Sequence, residues 1–242
     1  MFGWPNITSS DALTRAREDG TIVISTTPPA RAGADELLRQ AHESVYRWPG
    51  SFPGFSATIR IDGIEGGADG TVQVPSSGAP SLRVDGREDV AWARRELASM
   101  ASHRRHLPYE DADGRHPKSL RPDDGSPLGR LVVLEDALHS AFRLQDGRVR
   151  EISRRHRDGR FTLQLQAWEP VPDGRWLATA FTALHFPPEG DTLVGADVYR
   201  DAYVAVDGLM LPAARQVVSV GDAGVTVRSL GLGDHVVAGG GK

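Results

Sequence analysis

Between Phe55 and Asp62 the residues alternate, Phe55, Ala57, Ile59 and Ile61 against Ser56, Thr58, Arg60 and Asp62, the period of two that predicts a half-buried strand. Upstream the spacing changes. Leu37, Leu38, Ala41 and Val45 recur at helical intervals behind Asp35 and Glu36, which suit the positive end of a helix dipole, and predict a helix over 35–47. Two Pro-Gly dipeptides then break the helix, and Trp48, Phe52 and Phe55 supply an aromatic hinge into the strand. The glycine-rich stretch 63–70 predicts a hairpin loop returning through 71–74, and 81–84 reads as a third short strand. A second helix is predicted from Asp89, with Val90, Ala93, Leu97 and Met100 on one stripe, Arg104 and Arg105 in its last turn, and Pro108 as its stop.

Residues 111–129, with Gly114, Pro117, Pro122, Gly125 and Pro127, read as a long loop. From Arg130 onward the pattern is nearly all strand, punctuated by Asp-Gly at 146–147, 158–159, 173–174 and 207–208, the strongest short hairpin signal. The clearest run sets Phe161, Leu163, Leu165 and Ala167 against Thr162, Gln164 and Gln166. Further strands are expected at 176–186, 194–206, 214–220 and 225–232, a meander of roughly seven. Residues 1–33, with a short helix at 11–18 and an extended segment at 21–26, read as an N-terminal extension, and 34–242 as one domain. The expected fold class is α+β, a strongly curved antiparallel sheet with two helices packed on its concave face. Alternation leaves open whether the enclosed space is packed core or a ligand cavity.

Composition narrows the chemistry. A chain of 242 residues with 39% hydrophobic residues, 25% charged residues and a net charge of -4 is an ordinary globular protein, with no charge signature of a nucleic-acid partner. Zero cysteines exclude disulfides and thiolate chemistry. The first residues lack a basic and an apolar secretory region, and no run of about 18 apolar residues could cross a membrane; a cytoplasmic location is the expectation. Serine nucleophile elbows, P-loops and dinucleotide fingerprints are absent.

The segments Tyr46-Arg47-Trp48-Pro49 and Phe52-Pro53-Gly54-Phe55-Ser56-Ala57, followed by Ser102-His103-Arg104-Arg105 and Tyr109-Glu110, resemble the uncharacterised family catalogued as domain of unknown function 3386, seen in cyanobacteria and plants. The likeness runs colinearly from about Leu37 to Val220 and brings no established activity with it. His106 departs from the basic residue the family pattern leads one to expect. A helix leading into a Phe-Ser-Ala strand, with a late Asp207-Gly208-Leu209-Met210-Leu211-Pro212 turn, also resembles the lipoprotein-carrier fold of LolA-type proteins, an unclosed barrel that holds acyl chains.

Candidate chemistry gathers at His103, Arg104, Arg105, His106, Tyr109, Glu110, Asp111, Asp113 and His116. These residues can cap a helix C-terminus and pair with loop acids. Alternatively, His103 and His106 with Glu110 or His116 could hold a metal ion, though no metal or cofactor is assigned. The leading expectation is a carrier or binding protein for a lipid or other hydrophobic small molecule, lined by Trp48, Phe52, Phe55 and Tyr109 and anchored at Arg104, Arg105, His103 or His106. The alternatives are a pocket enzyme using His103 and Glu110 as an acid–base pair in a cyclisation or isomerisation, and a structural or partner-binding module. Oligomeric state is not encoded in any recognisable pattern.

Overall fold

The computed structural model describes residues 33–239 apart from residue 65 and residues 85–87; residues 1–32 of the expected N-terminal extension, with the helix expected at 11–18 and the extended segment at 21–26, lie outside the described residues. Helix α1 spans Ala34–Glu43 and buries Leu38 and Ala41. It ends before the predicted Arg47 because the chain is drawn into extended pairing: Val45 bridges Trp176, the Tyr46 amide donates to the Trp176 carbonyl at 2.9 Å, and the Trp176 amide donates to that of Ser44 at 2.8 Å.

Strands β1 (Gly54–Gly63), β2 (Gly66–Pro75) and β3 (Ser81–Arg83) follow, then helix α2 (Glu88–Arg104). The glycine stretch expected as a loop is therefore mostly strand, since glycine's lack of a side chain weakens a strand without preventing the ladder pairing of Gly66, Gly67 and Gly70 with β1. A single 3-10 turn, Tyr109–Asp111, leads into the segment read as a long loop, and within it lie a second, Asp113–Arg115, and strand β4 (Lys118–Leu120). Eight strands then replace the expected seven: β5 (Arg130–Leu134), β6 (Ala141–Gln145), β7 (Arg148–His156), β8 (Gly159–Pro170), β9 (Trp176–Phe186), β10 (Gly195–Val206), β11 (Leu209–Gly221) and β12 (Gly224–Val237). At the β6–β7 and β10–β11 turns both residues of the Asp-Gly pair adopt positive φ, 52° and 68° at 146–147, 48° and 78° at 207–208, the conformation a type I′ hairpin requires.

All twelve strands form one sheet in the order β3-β2-β1-β12-β11-β10-β9-β8-β7-β6-β5-β4. β3 and β4 are its two edges, so the sheet is unclosed. One face can be followed across the ladder through opposed residues: Leu120, Val132, Phe142, Ile152, Leu163 and Ala183 in one row, Leu165, Phe181, Tyr199 and Val217 in another. A third row runs from Asp201 through Arg215 and Leu230 to Ile61. Both helices pack on this face. α1 covers Val132, Leu134, Phe142 and Leu144 together with Tyr109; α2 sets Val90, Trp92, Ala93, Leu97 and Met100 on Ile59, Ile61, Val72, Leu211 and Leu230.

The sheet is strongly curved about that face. Register irregularities in β1, β6, β8 and β10 supply bends of the kind β-bulges introduce. No described helix is long and apolar enough to cross a membrane.

Candidate functional site

The Trp48 hinge docks rather than opens. Trp48 and Phe52 stack with ring centroids 4.1 Å apart, and Phe55 meets Trp48 edge-on at 6.2 Å; all three are buried within the α2-side core. The Trp48 indole N–H donates to the Met210 carbonyl at 3.0 Å, and the Tyr46 hydroxyl accepts from the Met210 amide at 3.0 Å. The Tyr-Arg-Trp segment and the late Asp207–Pro212 turn, which carry two separate likenesses in the sequence, are thus joined in space. Gly54 explains the Phe-Pro-Gly-Phe motif: its φ is +98°, and a Cβ there would lie 2.6 Å from the Val74 carbonyl oxygen.

The residues around the end of α2 point in different directions. Tyr109 is buried under α1, where its hydroxyl donates to Asp35 Oδ1 at 2.9 Å and its ring lies beneath the Arg39 guanidinium, 4.4 Å from the centroid. Burial and then the Asp35 carboxylate push the phenol upward. Glu110 is exposed and pairs with Arg39 at 2.5 Å. Arg105 donates to the carbonyls of Pro75 and Gly78 in the β2–β3 connection. His106 is exposed beyond the helix end, its ring 3.8 Å from a Cβ built on Gly50. His103, one turn from Ser99, is 3.5 Å from the Ser99 hydroxyl. No hydrogen bond joins His103 to Glu110, and among the described residues no three histidine or carboxylate groups converge on a position for a metal ion.

Arg104 turns inward. It is 8% exposed, donates to the Tyr46 carbonyl at 3.1 Å and lies over the Tyr203 ring, 5.4 Å from the centroid. Next to it, Arg215 on β11 forms a bidentate pair with Asp201 on β10, at 2.7 Å and 2.6 Å, and donates to Glu96 of α2 at 3.0 Å. Phe181 and Tyr199 stack at 4.6 Å, with the Arg215 guanidinium 5.5 Å and 5.1 Å from their centroids.

These groups border a strip of the inner face. α1 packs on β4, β6 and β7, and α2 on β1 and β3; between them Ile152, Phe161, Leu163, Leu165, Phe181 and Tyr199 remain half-buried. Phe161, Leu163 and Leu165 of the expected dry side of β8 lie on this inner face, whereas the register shifts after Leu165 set Ala167 opposite Ala180, outside the Phe181 row. Gln164 projects from the opposite face, where it donates to Glu151 at 3.0 Å, and Gln166 donates to Thr182. Two shallow depressions lie elsewhere, one lined by Thr71, Gln73 and Arg83, the other by Thr58, Asp69 and Gly233.

Arginines gather at the α2 end of the strip. The His103 ring is solvent-exposed, but the protein crowding around it, then the charges of Arg104, Arg215 and Arg154, depress its pKa to about 4. Arg47 is lowered to about 10 by burial, and next by Arg104. Sequence reading singles out His103 and Arg104 but passes over Arg154, Asp201, Arg215, Phe181 and Tyr199. A signal was present for one pair: Asp201 and Arg215 interrupt apolar strand faces with opposite charges on either side of an Asp-Gly turn, as cross-strand partners would.

No curated protein matches the sequence. Among solved structures, a domain from Vibrio parahaemolyticus named for outer membrane lipoprotein sorting aligns over 86% of this chain and 93% of its own, at 9% identity and a TM-score of 0.33. The strand order described above, not this likeness, defines the fold. Residues 30–235 match the family described as "Protein of unknown function (DUF3386)", and the chain belongs to that family.

Proposed function

We propose that this protein binds or carries a hydrophobic small molecule, held against the inner face of β8–β10 between the two helix-covered ends of the sheet. The observation that carries this reading is the half-buried apolar strip itself, Phe161, Leu163, Leu165 and Phe181, on the face whose flanking portions are the two cores. An apolar surface bounded by a few oriented polar groups is the usual composition of a small-molecule site. Trp48, Phe52 and Phe55 contribute by fixing α2 against the sheet, and Arg104 and His103 border the site as its polar anchors.

The test uses a neutral apolar fluorophore, N-phenyl-1-naphthylamine. The wild-type chain should bind it with enhanced emission, and Leu163→Asp should weaken binding at least about tenfold while the circular dichroism spectrum stays that of the wild type. Equal binding by both proteins, or none by the wild type, contradicts the assignment.

A further inference from the structure

Arg104 is 8% exposed, and its guanidinium donates to the Tyr46 carbonyl and meets the Tyr203 side chain. Its Nε has no partner, and no described carboxylate forms an ion pair with it. Burying a guanidinium without a counter-charge is costly, and such groups are ordinarily paired. Arg47 is in the same condition, half-buried, with the His42 carbonyl accepting at 2.8 Å and no described carboxylate in an ion pair with it. Arg154 on β7 donates to the Ser140 hydroxyl at 3.2 Å and lies 3.8 Å from Asp113.

The three cations border one region. Arg104 donates to the Tyr46 carbonyl and its own carbonyl accepts from the Trp48 amide at 2.6 Å, which sets it beside Arg47; Arg154 pairs with Asp113, and the charges of Arg104 and Arg154 both bear on His103. Arg175, which also acts on Arg47, is neutralised by Asp173. Arg47, Arg104, Arg154 and Arg215 then stand beside the apolar strip against Asp113, Asp201, Glu96 and, opposite Ala183 on the same face, Asp197; among the described residues Arg47 and Arg104 are the two of these cations with no carboxylate in an ion pair. The guanidinium fork is the side-chain geometry best suited to receive a carboxylate or a phosphate.

We infer that the hydrophobic ligand is an amphiphile with an anionic head group, a carboxylate or a phosphate monoester, seated among Arg104, Arg154 and Arg47 with its tail along β8–β10. The inference rests on the binding reading above and adds the head-group chemistry to it. The head group supplies the missing counter-charge and accepts from the Arg104 guanidinium, whose Nε has no partner.

The experiment compares decanoate, decyl phosphate and decanol, three probes with one tail, by titration calorimetry on the full chain. At least one anion should bind about tenfold or more tightly than decanol; which anion does so separates a carboxylate from a phosphate ligand. Arg154→Gln, a partly exposed position that leaves Arg104 and its Tyr46 contact in place, should weaken the preferred anion several-fold and leave decanol unchanged. The bound anion should also raise the His103 pKa, read from its imidazole proton resonances, and decanol should not. If decanol binds as tightly as both anions, the head-group inference is overturned and the binding reading stands. If no probe binds, both fall.

Discussion

Replacing Arg215 by leucine should destabilise the protein by about 3–5 kcal/mol, the range for removing one partner of a buried ion pair. The magnitude follows from what is left behind. The Asp201 side chain is 1% exposed and that of Glu96 14%, so the loss of one guanidinium strands two carboxylates on the inner face. Among the described residues the only other side-chain partner of the Asp201 carboxylate is the Tyr203 hydroxyl, at 3.4 Å. For a chain of this length each kcal/mol shifts the unfolding midpoint by about 2–4 °C, so Arg215→Leu should lower it by about 6–20 °C. Differential scanning calorimetry alongside urea unfolding measures the loss. The double variant Arg215→Leu with Asp201→Leu removes both buried charges, leaving the less buried Glu96 to turn toward water, and should recover at least half of it. A single variant within about 1 kcal/mol of the wild type, or a double variant less stable than the single, would refute the claim that these groups form one buried network.

Gly54→Ala should cost about 1–3 kcal/mol from backbone strain alone, with the 2.6 Å approach to the Val74 carbonyl adding to it; a change below about 0.5 kcal/mol in urea unfolding counts against the close-approach account of the motif. His103, depressed to about 4 in the folded chain against about 6.5 unfolded, takes up protons first in the unfolded state. Its share of the stability is therefore whole above pH 6.5 and is lost as the pH falls toward 4. His103→Gln should flatten part of that decline, and the buried His42, lowered by desolvation and by Arg47, should account for more of it. A His103 titration midpoint at or above 6.5 contradicts the crowding and the neighbouring arginine charges assigned to this ring.

Much of the fold was legible from alternation and turn chemistry because both act locally. The run 161–167 shows which residues of β8 share a face, and Asp146-Gly147 and Asp207-Gly208 mark hairpins whose left-handed backbone those residue types accept. The early end of α1 was not legible, since Val45 and Tyr46 are captured by Trp176, 131 and 130 residues further along the chain, a tertiary contact that overrides helical spacing. Strand β4 escaped notice because three residues carry no period. For the site, the sequence shows His103, Arg104, Glu110 and Tyr109 as neighbours, but the chain turns at Pro108 and sends Tyr109 and Glu110 to α1, leaving His103 and Arg104 on the inner face. Their companions come from β7, β10 and β11, and only the curvature of the sheet brings those strands within reach.

Hydrogen exchange with and without saturating decanoate tests the central claim most directly, because it locates the ligand without assuming its natural identity. The account predicts new protection in β8–β10 and the last turns of α2, with β2, β3 and the β11–β12 turn unchanged. Protection confined to the outer face of β1 and β2, or none at all at saturation, would contradict it.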